Sequence, residues 1–113
     1  MKIYLYLFVC LHLFVLHVHS LIDGLYCGRE NCYDLLNVTR TSSKQEIVKA
    51  YRALAKKYHP DMARTVEDKQ LYTERFRAFA NAYEILKDEE TRVDYDRMLD
   101  NPQELVIDFF LLK

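Results

Sequence analysis

This sequence of 113 residues contains no tryptophan, two glycines, two prolines and three cysteines. So few glycines and prolines argue against an all-β fold, which needs tight turns between many short strands. The 16 basic and 17 acidic residues give a formal net charge of −1, so the chain has no general attraction to nucleic acid. Its length allows one small domain. The composition therefore favours a small all-α protein.

The apolar residues are concentrated at the amino terminus. Lys2 precedes an apolar run over residues 3–16, and Val18 and Ser20 occupy the small-residue positions that precede a signal-peptidase site. Residues 1–20 are therefore predicted to be a signal peptide cleaved after Ser20. The alternative is an uncleaved anchor helix, although this stretch is shorter than the roughly 20 residues that span a bilayer core. In either case Lys2 is expected to stay cytosolic, which places the rest of the chain in the lumen.

No metal or other cofactor is expected. His12, His17 and His19 lie close together in the sequence, but they interrupt a segment that is predicted to be removed. A structural metal site usually has four ligands held on a folded scaffold, which this segment does not offer.

Two cysteines outside the apolar run, Cys27 and Cys32, are five residues apart. In an oxidising lumen they are candidates for a disulfide that ties the entry segment to the first helix of the domain. Free thiols are the second interpretation. Redox catalysis is the weakest, because the spacing is not Cys-x-x-Cys and no βαβ pattern follows. Cys10 lies within the apolar run and is assigned no role.

Asn37 begins an Asn-Val-Thr sequence, which is an acceptor for N-glycosylation in the secretory pathway. The same residue also follows a short helix predicted over residues 32–36, with Tyr33 and Leu36 facing inward. Asparagine tolerates the left-handed conformation that ends helices, so Asn37 is also a candidate helix cap. Both interpretations can hold together.

Two long helices are predicted to form an antiparallel hairpin. Ser43 and Glu46 form a capping box at the start of a helix over residues 44–58, and a second helix extends to about residue 87. Each has an apolar stripe at helical spacing; the stripes are Ile47, Ala50, Tyr51, Leu54 and Tyr58, and Tyr72, Phe76, Phe79, Tyr83 and Leu86. A fourth helix should begin after Asp88 and end at Asn101-Pro102. The predicted division is 21–31 junction, 32–100 domain and 101–113 short apolar tail.

The turn of this hairpin contains His59-Pro60-Asp61. Proline fixes φ and biases the preceding residue away from the helical region, so the first long helix should end at about His59. The imidazole and the carboxylate are then held at the tip. The surface of that helix carries Lys49, Arg52, Lys56 and Lys57, while most acids are expected on the second long helix and the turn after it. This pattern is suited to docking on an acidic partner.

From residue 32 to residue 98 the chain resembles the J-domain of DnaJ-type co-chaperones. The resemblance consists of blocks in the family's order and spacing, namely YDLL at 33–36, EIVKAYRALA at 46–55, the His-Pro-Asp at 59–61, FRAFANAYEIL at 76–86 and TRVDYD at 91–96. Within the family, GLYCG at 24–28 and LKDEETR at 86–92 look like a membrane-associated member of subfamily C. The expected fold is an antiparallel hairpin of the second and third helices, with short first and fourth helices and a preceding signal or anchor helix.

The resemblance also implies a function and a partner. J-domains bind a DnaK-type heat-shock chaperone and accelerate its ATP hydrolysis, so this chain is expected to do so in the lumen of the endoplasmic reticulum or at its membrane. The residues that match the family's binding surface are Tyr51, Arg52, Lys56, His59, Pro60, Asp61 and Phe76, and Lys49 and Lys57 extend its basic side. Met62 differs from the family, in which many members have arginine or lysine there.

The chain itself is not expected to be an enzyme, because no serine, second histidine or Cys-x-x-Cys accompanies the turn at a catalytic spacing. The alternative function is a membrane-held module, or a truncated decoy, that binds the chaperone without productive stimulation. Membrane association would then involve residues 1–20.

Overall fold

Six α-helices and one short 3-10 helix follow one another along the described part of the chain. The computed structural model describes residues 1–23 and 25–111, without the side chains of residues 18–23, 105, 106 and 108–110. The α-helices are α1 (Lys2–Asp23), α2 (Cys32–Leu36), α3 (Lys44–Lys57), α4 (Val66–Lys87), α5 (Glu89–Asp100) and α6 (Pro102–Leu111). The 3-10 helix spans Pro60–Met62. These residues contain no strand, as the all-α prediction requires.

The amino-terminal helix α1 covers the segment predicted as a signal or anchor. A search of the described residues finds no helix with both the length and the apolar character needed to cross a membrane. The side chains of Val18, His19 and Ser20 lie outside the description, as does Gly24. The signal and anchor interpretations of this segment therefore stay predictions.

The short helix α2 has the predicted bounds, and each end is closed by an asparagine. The Oδ1 atom of Asn31 accepts a hydrogen bond of 2.8 Å from the Tyr33 N–H, which satisfies one of the free donors of the first turn. Asn37 closes the helix in the left-handed conformation, with φ 54° and ψ 45°. Its backbone N–H donates to the Asp34 carbonyl at 3.0 Å, so the predicted cap at Asn37 is present.

Helices α3 and α4 form the predicted hairpin. The capping box at Ser43 is complete: Ser43 Oγ accepts from the Glu46 N–H at 3.2 Å, and Glu46 Oε2 accepts from the Ser43 N–H at 2.6 Å. Thr65 starts α4 in a related way, since its Oγ1 accepts from the Asp68 N–H at 3.0 Å. The start of each helix therefore depends on a side chain that takes up an orphan backbone donor.

The core lies where α2, α3, α4 and α5 meet. Its buried members are Cys32, Tyr33, Leu36, Ile47, Phe79, Ala82, Ile85, Leu86 and Tyr95. The predicted stripe of α4 omits Ala82 and Ile85, both of which are buried, because α4 contacts α2 and α5 as well as α3. A single stripe is too narrow for a helix with three neighbours. Tyr51 and Tyr83 join α3 to α4 by a parallel stack, with ring centroids 4.3 Å apart.

A network of polar contacts joins helix α5 to α2 and to the loop before α3. Arg92 donates to the carbonyls of Arg40 and Ser42 at 3.0 and 2.9 Å, and its Nε donates to the Tyr33 hydroxyl at 3.1 Å. The Tyr33 hydroxyl in turn donates to Asp96 at 2.7 Å. Burial raises the pKa of Tyr33, and the bond to Asp96 raises it further. The loop between α2 and α3 is thus fastened to α5.

The predicted tail forms a helix over most of its length. α5 ends at Asn101, as predicted, but Pro102 then occupies the first position of α6. Proline is well suited to that position because its missing N–H would have no partner there. A proline that ends one helix can therefore begin the next. Leu112 and Lys113 lie outside the described residues.

A disulfide joins Cys27 to Cys32, with their Cα atoms 5.6 Å apart. Two residues on either side of Cys27 are left-handed, Tyr26 (φ 52°) just before the closed loop and Gly28 (φ 68°) within it. Asn81 of α4 donates from Nδ2 to the Tyr26 carbonyl at 2.6 Å. The Tyr26 ring packs on that of Tyr95, with centroids 5.2 Å apart. The segment before α2 is therefore bonded to both α4 and α5.

Candidate functional site

The backbone around Pro60 fixes the tip of the hairpin. Tyr58 comes directly after α3 and caps it, because its N–H donates to the Leu54 carbonyl at 2.9 Å. His59 is extended, with φ −62° and ψ 132°, as expected for a residue that precedes proline. Pro60 then starts the 3-10 helix, closed by a bond of 2.9 Å from the Met62 N–H to the His59 carbonyl. The chain reverses within a few hydrogen-bonded residues.

The two polar side chains of the tip differ in exposure. The side chain of His59 is 50% exposed and that of Asp61 is 86% exposed. His59 Nδ1 accepts a hydrogen bond of 3.2 Å from the Asp61 N–H. Asp61 Oδ2 lies 3.5 Å from the same nitrogen, and the exposed carboxylate is accessible to a partner.

Aromatic residues hold the tip against α4. The rings of His59 and Phe76 meet edge to face with centroids 5.9 Å apart. The Tyr58 ring packs on Tyr72 and Phe79, at 5.4 and 5.3 Å. Phe76 was predicted to belong to the binding surface, and the structure brings it into contact with the imidazole. Because aromatic pairs of this kind favour a defined geometry, the contact with Phe76 favours one orientation of the His59 ring.

The cations of α3 divide into a stripe and an outlier. Lys49, Arg52 and Lys56 follow one another at intervals of three and four residues, so they share one face of the helix. Lys57 lies about 100° further around the helix, where its Nζ is 5.3 Å from the centre of the Tyr58 ring. All four side chains are exposed, and no carboxylate among the described residues forms an ion pair with them.

Tyr51 faces away from this stripe. Its ring is stacked on Tyr83 and is half-buried, so only part of it is available at the surface. The structure therefore places Tyr51 in the hairpin contact, and its part in binding stays a prediction.

One cation near the stripe was missed from the sequence. Lys44 lines a shallow groove on α3 together with Val48, Lys49 and Arg52. Its position five residues before Lys49 and eight before Arg52 was the available signal, but Lys44 was interpreted only as the first residue after the cap. The groove extends the basic surface towards the start of α3.

The expected concentration of most acids on the second long helix and the turn after it was wrong, because α4 and residues 88–90 together hold seven of the 17 acidic residues. α4 contains four acidic residues, Glu67, Asp68, Glu74 and Glu84, and four basic ones, Lys69, Arg75, Arg77 and Lys87. α3 has one acidic residue against five basic ones. The excess of basic residues therefore lies on α3, whereas α5 has five acidic residues against two basic ones. The surface of α3 beside the tip is predominantly positive.

Comparison with known proteins identifies relatives of this hairpin. The family model of the DnaJ domain matches residues 31–96. DnaJ homolog dnj-2 of Caenorhabditis elegans is 52% identical over 87 residues, which cover 76% of this chain and 26% of the relative. Chaperone protein DnaJ of Staphylococcus epidermidis is 43% identical over 77 residues, which cover 67% of this chain and 20% of the relative. This chain thus spans about a quarter or less of the length of these relatives.

A solved structure shares the fold. The crystal structure of the J-domain of the dnj-2 precursor from C. elegans superposes with a TM-score of 0.72 at 50% sequence identity. The match covers 78% of this chain and 88% of that one. The helical arrangement described above is therefore that of a J-domain.

Proposed function

This chain belongs to the DnaJ domain family, and from that premise we propose that it is a co-chaperone that docks on a DnaK-type heat-shock chaperone and stimulates its ATP hydrolysis. The observation that supports this most is the exposed turn His59-Pro60-Asp61, held at the end of a packed hairpin. Beside it lies a stripe of exposed cations that form no ion pair with the residues the structure describes. DnaJ-type domains are not a catalytic family, so the chemistry belongs to the partner. This chain would bias the partner's conformational equilibrium.

Asp61 is the residue proposed to trigger the partner. Its carboxylate is exposed, and its backbone lies within the 3-10 helix of the turn. An arginine of the partner can bind such a carboxylate through two parallel charge-assisted hydrogen bonds. Asparagine would keep the shape of the side chain and lose the charge, and glutamate would move the charge outward by one carbon.

The basic stripe of Lys49, Arg52 and Lys56 is proposed to guide the encounter. Exposed charges at the rim of an interface mainly set the association rate and the orientation, and they contribute less to final affinity. Lys57 and Phe76 would border the same surface, Phe76 by supporting the imidazole. Tyr51 would contribute through its exposed part only.

We place this activity in the secretory pathway, in the lumen or at the membrane of the endoplasmic reticulum. The Cys27–Cys32 disulfide supports this, because disulfides persist in oxidising compartments. The proposed division is signal peptide or anchor over 1–20, junction over 21–31, J-domain over 32–100 and tail over 101–113. Within the family, the likeness of GLYCG at 24–28 points to member twenty-five of DnaJ subfamily C.

The test is the steady-state ATPase rate of a lumenal DnaK-type chaperone, measured with and without the chain from Leu21 onward. Stimulation is expected, together with its loss in Asp61→Asn. Asp94→Asn is the matched control, because it removes one exposed carboxylate from α5 and should leave stimulation intact. Binding without stimulation by the unaltered chain would indicate the decoy function instead. Equal stimulation by a folded Asp61→Asn variant would refute the proposed role of the turn.

A further inference from the structure

The sequence contains four asparagines, and one of them has a hydroxyl residue two positions later. Asn37 is followed by Val38 and Thr39, whereas the corresponding positions after the other three asparagines hold tyrosine, tyrosine and glutamine. The Asn-x-Ser/Thr pattern, with x other than proline, is what the transferase of N-linked oligosaccharides requires. Only Asn37 meets that requirement.

In the structure, the backbone of Asn37 caps α2 while its side chain is available for modification. The cap function uses the backbone, since the N–H of Asn37 donates to the Asp34 carbonyl. The side chain is exposed, and the described residues give its amide no hydrogen-bond partner. Attachment of a sugar to Nδ2 therefore removes none of the described contacts, and the left-handed backbone continues to close α2.

Two other asparagines show the contrast. Oδ1 of Asn31 accepts the Tyr33 N–H that starts α2. Nδ2 of Asn81 donates to the Tyr26 carbonyl at 2.6 Å. Modification of either amide would remove a structural hydrogen bond, because each side chain is committed to the fold. Asn37 alone combines the acceptor pattern with an uncommitted amide among the described side chains.

Asn37 also lies at the end of the domain opposite the His59-Pro60-Asp61 turn. The loop that follows it is fastened to α5 by Arg92, whereas the turn packs on Phe76 in the middle of α4. The 14 residues of α3 separate the two ends by about 21 Å at 1.5 Å per residue. A glycan on Asn37 would therefore be attached at the end of the domain where α3 begins, far from the turn.

We propose that Asn37 is an N-glycosylation site whose glycan leaves the chaperone-docking surface free. The proposal rests on the secretory placement given above. The donor is a lipid-pyrophosphate-linked oligosaccharide. Nδ2 forms a bond to the anomeric carbon, the bond from that carbon to the pyrophosphate oxygen breaks, and the lipid pyrophosphate leaves with the electron pair. The amide loses one proton to a base of the transferase.

The experiment is translation of the full chain in the presence of microsomes derived from the endoplasmic reticulum, with protease protection and endoglycosidase sensitivity read separately. A protected band that shifts by one glycan is expected. Asn37→Asp and Thr39→Ala should abolish the shift, and Thr39→Ser should keep it. Thr41→Ala is the matched control: Thr41 Oγ1 lies 3.0 Å from Thr39 Oγ1 but outside the acceptor pattern, so the shift should remain.

The two readouts separate the two proposals. Protection without a glycan-dependent shift would overturn the modification site and leave the secretory placement standing. A chain open to protease would overturn the placement, and the glycan with it. A third readout tests where the glycan lies: glycosylated chain and Asn37→Asp should stimulate the chaperone ATPase to the same level. Loss of stimulation confined to the glycosylated form would show that the glycan reaches the docking surface.

Discussion

Reduction of the Cys27–Cys32 disulfide should lower the free energy of unfolding of the domain by an amount that depends on the size of the loop it closes. The bridge joins residues separated by five positions, so the closed loop is small. In the chain-entropy description, a loop of this size restricts the unfolded chain by about 2 kcal/mol at 25 °C. That free energy corresponds to about a 30-fold change in the unfolding equilibrium constant.

The native contacts of the turn favour an effect close to this value. The Tyr26 carbonyl accepts from Asn81 and the Tyr26 ring packs on Tyr95, and neither contact depends on the sulfur–sulfur bond. The Cys32 N–H donates to the Tyr95 hydroxyl at 2.9 Å, which also survives reduction. The reduced domain should therefore keep its fold, so the loss comes from the greater freedom of the unfolded chain.

Urea unfolding followed by circular dichroism, with and without a reductant, measures this loss. Cys10 is a free, exposed cysteine, so a Cys10→Ser background prevents disulfide exchange. With a denaturant dependence of about 1 to 2 kcal/mol per molar urea, typical of small domains, the midpoint should fall by about 1 to 2 M. The urea midpoint of Cys27→Ser should equal that of the reduced protein and should not change when the reductant is added. Coincident midpoints for oxidised and reduced protein would refute the reasoning.

Three further outcomes follow from the described contacts. Arg52→Glu should raise the concentration of chain needed for half-maximal stimulation and weaken the salt dependence of that concentration. The maximum rate should be nearly unchanged, because a rim charge acts mainly on the encounter. An unaltered salt dependence in ATPase titrations would contradict this. Ser43→Ala should lower the free energy of unfolding by about 1 kcal/mol, since the start of α3 loses its cap; an unchanged urea midpoint would show that the cap is dispensable. Backbone hydrogen bonds to Ser43 and Thr91 lower the pKa of Glu46 and of Asp88 from their ordinary values of 4.5 and 3.8. Their contribution to stability is therefore complete above those ordinary values and is lost as the pH falls through the lowered ones. Unfolding measured between pH 6 and pH 2 should show this loss, with a shallower dependence in Glu46→Gln, which has no carboxylate to titrate.

Local features of the fold were predictable because their causes are local. The capping box at Ser43, the left-handed Asn37 and the end of α3 before Pro60 each depend on residues within a few positions of one another. The apolar stripes predicted that α3 and α4 pair, since two amphipathic helices bury their apolar faces against each other. The exposed tip followed from the same local stop signal.

The remaining features depend on contacts between distant parts of the chain. The burial of Ala82 and Ile85 requires α2 and α5 to pack on further faces of α4, which a single stripe does not reveal. The bonds from Arg92 to the loop after α2 join residues 50 and 52 positions apart. No periodic pattern encodes such pairs. The helix after Pro102 was missed for a different reason, because proline signals both the end of one helix and the start of the next.

The central claim is that the His59-Pro60-Asp61 turn and the basic stripe of α3 form the surface that binds the chaperone. Two-dimensional NMR of the isotopically labelled chain, titrated with the ATP-bound chaperone, tests it most directly. We predict that signals of residues 49–61 and of Phe76 shift or broaden first, while those of α5 and of the loop at 38–42 stay in place. Changes confined to α5 and that loop, with the signals of residues 49–61 unmoved, would contradict the claim.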